Sequence, residues 1–126
     1  PALPNVYMQI SDVRDTAMLH VKALKSEDSD GKRILTTSTN DYHITKIAKI
    51  VKDSGFDKVS TRVMPTFLFR VFALFNLQMK GVLKNIKRGS YKTDNSSTAS
   101  IFNWKPTPVE KTISDMALSM GKILGM

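Results

Sequence analysis

Apolar residues recur along this chain at two spacings, and the alternation between them predicts its elements. Tyr7 to Ile10 has the aromatic and apolar makeup of a short strand. After a charged corner at Asp12 to Asp15, Ala17, Leu19, Val21 and Leu24 recur at helical spacing, with Asp12 or Asp15 as the cap. The polar loop Ser26 to Lys32 follows, and Arg33 to Thr37 has the β-branched content of a second strand. Ile44, Ile47, Ala48 and Val51 then form a stripe with Lys46, Lys49 and Lys52 outside it, predicting a helix from about Tyr42 to Ser54 that stops at Gly55. Lys58 to Met64 reads as a short strand ahead of Pro65. A long amphipathic helix follows from Thr66 to about Lys87, open to a break near Gly81, with Leu68, Val71, Phe72, Phe75, Met79, Val82, Leu83 and Ile86 on one side. Gly89 to Asp94 reads as a brief extended piece, and Asn95 to Phe102 as a short helix capped by Asn95 or Ser96. Thr107-Pro108-Val109-Glu110 has the form of a capping box with proline at the first helical position, opening a last helix that carries Val109, Ile113, Met116, Ala117 and Met120 toward Gly121.

Strands alternating with helices predict an α/β fold. The strand inventory is thin beside the five or six, roughly, of an ordinary sheet. With Pro1-Ala2-Leu3-Pro4 leading almost directly into a strand, the expectation is that further strands lie on the N-terminal side and that the chain is entered partway through.

Composition narrows the class. The 126 residues are 41% hydrophobic and 24% charged, in the range of a globular domain. The absence of cysteine excludes disulfides and thiolate metal sites, and His20 and His43 alone make a poor zinc site. The apolar run Phe67 to Met79 is interrupted by Arg70, Asn76 and Gln78 and is too short to span a bilayer, so no membrane partner and a cytoplasmic location are expected. The net charge of +8 has one address. Lys58 to Thr93 holds eight basic residues and no acidic one, while the other 11 basic residues match the 11 acidic ones. Such a segment can serve nucleic acid or an anionic surface, but no recognition motif accompanies it. A solvated helix face is the plainer expectation, and no nucleic-acid partner is assigned.

Asp12, Arg14 and Asp15 resemble an acid/base pair of carboxylates at first sight. A structural corner, made of a cap and an ion pair at the strand-to-helix junction, accounts for them better. His20, among apolar neighbours and without a second ligand at hand, reads as a hydrogen-bonded interior histidine. The phenylalanines at 67, 69, 72 and 75 read as packing. No catalytic, cofactor-binding or metal-ligating residue is assigned on these grounds.

Three stretches, taken in order, carry a resemblance. Ile10-Ser11-Asp12-Val13-Arg14-Asp15 with Ala17 and His20 resembles the V-D-V-R-D-x-A-x-x-H segment of extended short-chain dehydrogenases/reductases. Gly31 to Leu35, then Ile44 and Ile47-Ala48, is similar to that family's next strand and helix. Phe102-Asn103-Trp104-Lys105-Pro106 with Val109, Glu110, Thr112 and Ile113 is similar to its terminal L-G-W-x-P-x-x-x-E-x-I signature, with Asn103 where the family favours glycine. The nearest branch is the dihydroflavonol-reductase-like aldehyde and ketone reductases, within the NAD-dependent epimerase/dehydratase group.

The resemblance implies that the chain is the C-terminal part of a Rossmann-type NAD(P)-binding fold: the last strands and helices of the main sheet over 1–57, and a mostly helical, substrate-covering lobe over 58–126. It implies an oxidoreductase reducing a small-molecule carbonyl substrate with NADP or NAD, both the cofactor and the chemistry being supplied by an upstream Rossmann portion. The glycine-rich dinucleotide turn is missing here. Tyr42 and Lys46 match the family's Y-x-x-x-K spacing but lie downstream of the V-R-D stretch, where the family motif does not occur. The 126 residues alone are therefore expected to be inactive. Substrate-side positions do carry over: Gln9 toward substrate hydroxyls, Pro4 at a wall of the pocket, and Phe67 and Leu68 from the lobe. A sugar-nucleotide epimerase or dehydratase of the same superfamily and a free-standing basic binding module are the alternatives.

Overall fold

The computed structural model describes residues 2–75 and 77–125, and the side chains at 72, 75, 77–79, 85 and 87 lie outside that description. The architecture is mixed α/β and mostly helical. Strand β1 (Tyr7–Met8) leads through Gln9–Asp12 into helix α1 (Val13–Ala23). After a 3-10 turn at Glu27–Ser29, strand β2 (Tyr42–His43) runs directly into α2 (Ile44–Asp53). Helices α3 (Thr66–Phe75), α4 (Leu77–Arg88), α5 (Ser96–Phe102) and α6 (Val109–Leu124) complete the order. β1 and β2 pair antiparallel, with Tyr7 opposite His43 and Met8 opposite Tyr42.

The strands are shorter than their composition predicts because most of that backbone is satisfied in other ways. Ile10 gives its N–H to the Ser38 hydroxyl and accepts the Ser38 N–H at 2.7 Å. Leu35 N–H is taken by the Thr98 hydroxyl, 2.9 Å away on α5. Arg33 to Thr37 is thus extended chain anchored by side chains, since a buried amide needs a partner of some kind but not a neighbouring strand. From Lys58 to Met64 only Val63 forms a bridge, parallel to Leu3, and from Gly89 to Asp94 only Lys92 does, antiparallel to Asn40. Tyr42 and His43, expected at the start of a helix, form β2 instead. His43 caps α2 by accepting the Thr45 N–H, while its other ring nitrogen reaches Asn5 Oδ1 at 2.8 Å.

Thr66–Phe75 and Leu77–Arg88 are helical, as predicted after Pro65, and α4 runs through Gly81 without a break. On α3 the buried residues are Phe69 and Ala73, four apart, whereas Leu68 and Val71 face solvent and Phe67 is 70% exposed. Val82, Leu83 and Ile86 are half-buried. The expected apolar roles of Phe72, Phe75 and Met79 fall outside the described side chains. On α1 the stripe collapses to one residue: Leu19 is buried, but Ala17, Val21 and Leu24 are exposed.

Leu19 packs with Phe102 and Trp104, and Ala23, Ile34 and Ile101 lie against them. This cluster joins α1 to the end of α5. α6 buries Val109, Ile113, Ala117 and Gly121 and packs on α2, leaving Met116 and Met120 half-exposed. Asn103, which follows α5, sits in the left-handed region at φ 45°. That conformation favours glycine, and asparagine tolerates it better than most other residues.

Candidate functional site

Two places concentrate polar chemistry. The first is the corner between β1 and α1. Asp12 caps α1 by accepting the Arg14 N–H at 2.8 Å, and the Arg14 guanidinium folds back on the same carboxylate in two further bonds of 2.9 and 2.7 Å. Thr112 of α6 donates its hydroxyl to Asp12 at 2.8 Å. Arg14 also reaches Asp115 at 2.7 Å, and Lys111 reaches the same Asp115 oxygen at 3.0 Å. The guanidinium first, and then the Thr112 hydroxyl, hold the Asp12 carboxyl well below the usual carboxylate range, against the opposing effect of its burial. Arg14 lowers Asp115 in the same way, with Lys111 assisting. Two carboxylates this firmly ionised have no proton to give, so the corner is unsuited to acid catalysis.

Asp15, one turn on, is buried and faces the chain entering α6. It accepts the Thr107 N–H at 2.7 Å and the Thr107 hydroxyl at 2.9 Å. This revises the capping box: Thr107 spends its hydroxyl on Asp15 rather than on its own helix. Glu110 turns to its own backbone N–H and to Lys46, which together lower its pKa. His20 is also revised. It is exposed, with Nδ1 bonded to Thr16 O at 2.7 Å.

The second place is a cleft of about 240 Å³ between β1 and the turn after α4, lined by Tyr7, Met8, Gln9, Arg88, Gly89 and Tyr91. The Gln9 amide donates to the Thr93 hydroxyl. The turn is held from beneath by Asp41, which accepts the Ser90 hydroxyl at 2.8 Å and the Tyr91 N–H at 2.7 Å. Gly89, at φ 69°, makes the reversal possible. Arg88 lies over the Tyr91 ring, 4.0 Å from its centre. Of the residues expected on the substrate side, Gln9 is in this cleft. Pro4, half-buried at the Leu3–Val63 bridge, and Phe67 and Leu68, exposed on α3, are not among the described residues that line it. Arg88 and Tyr91 were passed over in the sequence. The signal was an arginine, a glycine and an aromatic within four positions at the end of a basic helix.

Two junctions in the chain run from a strand into a helix. β1 enters α1 through Gln9–Asp12 and β2 enters α2 with no intervening residue, so neither junction holds a glycine that would let the backbone approach a pyrophosphate. Lys46 lies over the Tyr42 ring at 4.7 Å and pairs with Glu110, an arrangement that directs its charge to the ring face and to a carboxylate. No group of three or more potential metal ligands gathers among the described residues, and no helix there is long and apolar enough to cross a membrane.

No protein-family model matches the chain, and comparison with curated proteins and with solved structures yields no match.

Proposed function

We propose that this chain is the substrate-side, C-terminal portion of an extended short-chain reductase of the dihydroflavonol-reductase-like kind, acting on an aldehyde or ketone. The observation that carries the reading is the meeting of the two stretches on which the resemblance rests. Asp12, Arg14 and Asp15 of the first bond to Thr112, Asp115 and Thr107 in or just beyond the second, about a hundred positions later. Leu19 of the first packs on Phe102 and Trp104 of the second. On this reading NADP or NAD is bound by an upstream Rossmann portion, and the present residues shape and line the cleft beside Gln9.

The test is an assay of carbonyl-dependent NADPH or NADH oxidation, run on the 126-residue polypeptide and on the longest polypeptide that its coding sequence specifies. Activity in the longer protein, together with a glycine-rich turn and a Y-x-x-x-K upstream, is the expected result, with none in the 126 residues alone. Turnover by the 126-residue chain, or a coding sequence without those upstream motifs, defeats the proposal.

A further inference from the structure

The cleft beside Gln9 contains a cation set up for a ligand. Arg88 is stacked on Tyr91 and, among the described residues, makes no ion pair. Stacking leaves the guanidinium edge, with its fork of N–H donors, free to meet a planar anion. The nearby carboxylate, Asp41, is already engaged by Ser90 and Tyr91 N–H. Lys84, one turn earlier on α4, and Lys92 add positive potential around Arg88, set against the carboxylates of Asp41 and Asp94.

We propose that this cleft recognises a carboxylate on the carbonyl substrate, held by Arg88 on its Tyr91 platform. The inference rests on reading this cleft as the substrate pocket, and it names the substrate class as a small keto or aldehyde acid. A carboxylate fits better than a phosphate. Either anion can meet the guanidinium fork with two oxygens, but a phosphate's remaining oxygens call for further N–H and O–H donors. The Ser90 hydroxyl and the Tyr91 backbone N–H are spent on Asp41, and one of the two Gln9 amide N–H groups is spent on Thr93. The Gln9 carbonyl oxygen remains as an acceptor for a substrate hydroxyl.

The experiment titrates the isotope-labelled protein, in the longest form its coding sequence specifies, with 4-acetylbenzoate, with its neutral counterpart 4-acetylbenzamide, and with inorganic phosphate, following backbone amide resonances by NMR. The benzoate is expected to shift Gln9, Gly89 and Tyr91 and to bind about tenfold or more tightly than the amide, the worth of one charge-assisted pair. Phosphate leaves those resonances in place. Arg88→Gln abolishes the preference, while Arg88→Lys keeps part of it. Arg88 is exposed, so unchanged resonances elsewhere will show that both variants fold. Equal binding of benzoate and benzamide, a preference that survives Arg88→Gln, saturation by phosphate at the same residues, or no perturbation at all would each overturn the inference. None of these readouts uses a nicotinamide. A longer protein inactive with NADPH but retaining the Arg88-dependent preference would defeat the reductase reading and leave this one standing, and the converse result would do the opposite.

Discussion

The corner around α1 and the helical pair α3–α4 are held by different means, and the difference shows what each is fit for. At the corner, three charged side chains of one short stretch reach three partners at the entry to and within α6, over an apolar cluster in which Leu19 is 1% exposed. Every bond there has a defined direction, so the two segments meet in one register. α3 and α4 pack chiefly on each other, and α3 turns Phe67, Leu68, Val71 and Leu74 to solvent. Apolar contact is proportional to area and indifferent to direction, so it sets no register of its own. The corner is fixed by directed bonds, while the described outer face of α3 is open to solvent.

The sharpest way to break this contrast is to truncate one residue in each region. Leu19→Ala should cost about 2–5 kcal/mol, the loss of a fully buried leucine together with the cavity it leaves. Phe67→Ala should stay within about 0.5 kcal/mol, as exposed substitutions do. Urea denaturation followed by circular dichroism measures both, and comparable losses would show that the lobe is as tightly built as the corner. A smaller effect, of roughly 1–3 kcal/mol, is expected for Asp15→Asn. The amide can accept from Thr107 with one oxygen but presents an N–H₂ to the second donor, and a double-mutant cycle with Thr107→Val isolates the shared part.

The third effect depends on pH. Asp12, Asp115 and Glu110 all have folded pKa values below their unfolded ones. Their contribution is therefore fully present above the unfolded carboxylate value of about 4, and it declines as pH falls from there through the lower folded values. The urea midpoint should be flat near neutrality and drop below about pH 4. Asp12→Asn should flatten the drop. An acid limb with the same slope in that variant would place the sensitivity elsewhere.

Much of the helical frame could be read from the residues, because caps and stripes are local signals. Asp12 caps α1 and α2 ends just before Gly55 as their chemistry predicts, whereas α6 begins one residue later than its capping box places it, with Pro108 at the cap. The strands could not, since a strand is completed by its neighbour, and the amides of Ile10 and Leu35 found hydroxyls on Ser38 and Thr98 that no local pattern announces. The docking of Asp15 on Thr107 was invisible for the same reason. Thr107 has the sequence of an ideal cap, and only a carboxylate arriving from 92 residues away diverts it. At the cleft, Gln9 could be marked through a resemblance, but Arg88 and Tyr91 looked like solvated surface until the turn at Gly89 brought one over the other.

The span of the corner also bears on the order in which the molecule can be assembled. Asp12 and Arg14 leave the ribosome about a hundred residues before Thr112 and Asp115, and contacts so distant in sequence close slowly because the intervening chain must first be gathered in. During that interval α1 has its cap but lacks most of its packing partners, with Leu19 uncovered until Phe102 and Trp104 arrive. The helix that defines the finished corner is thus among the last to be secured, and until then its apolar face is exposed surface of the kind that promotes association.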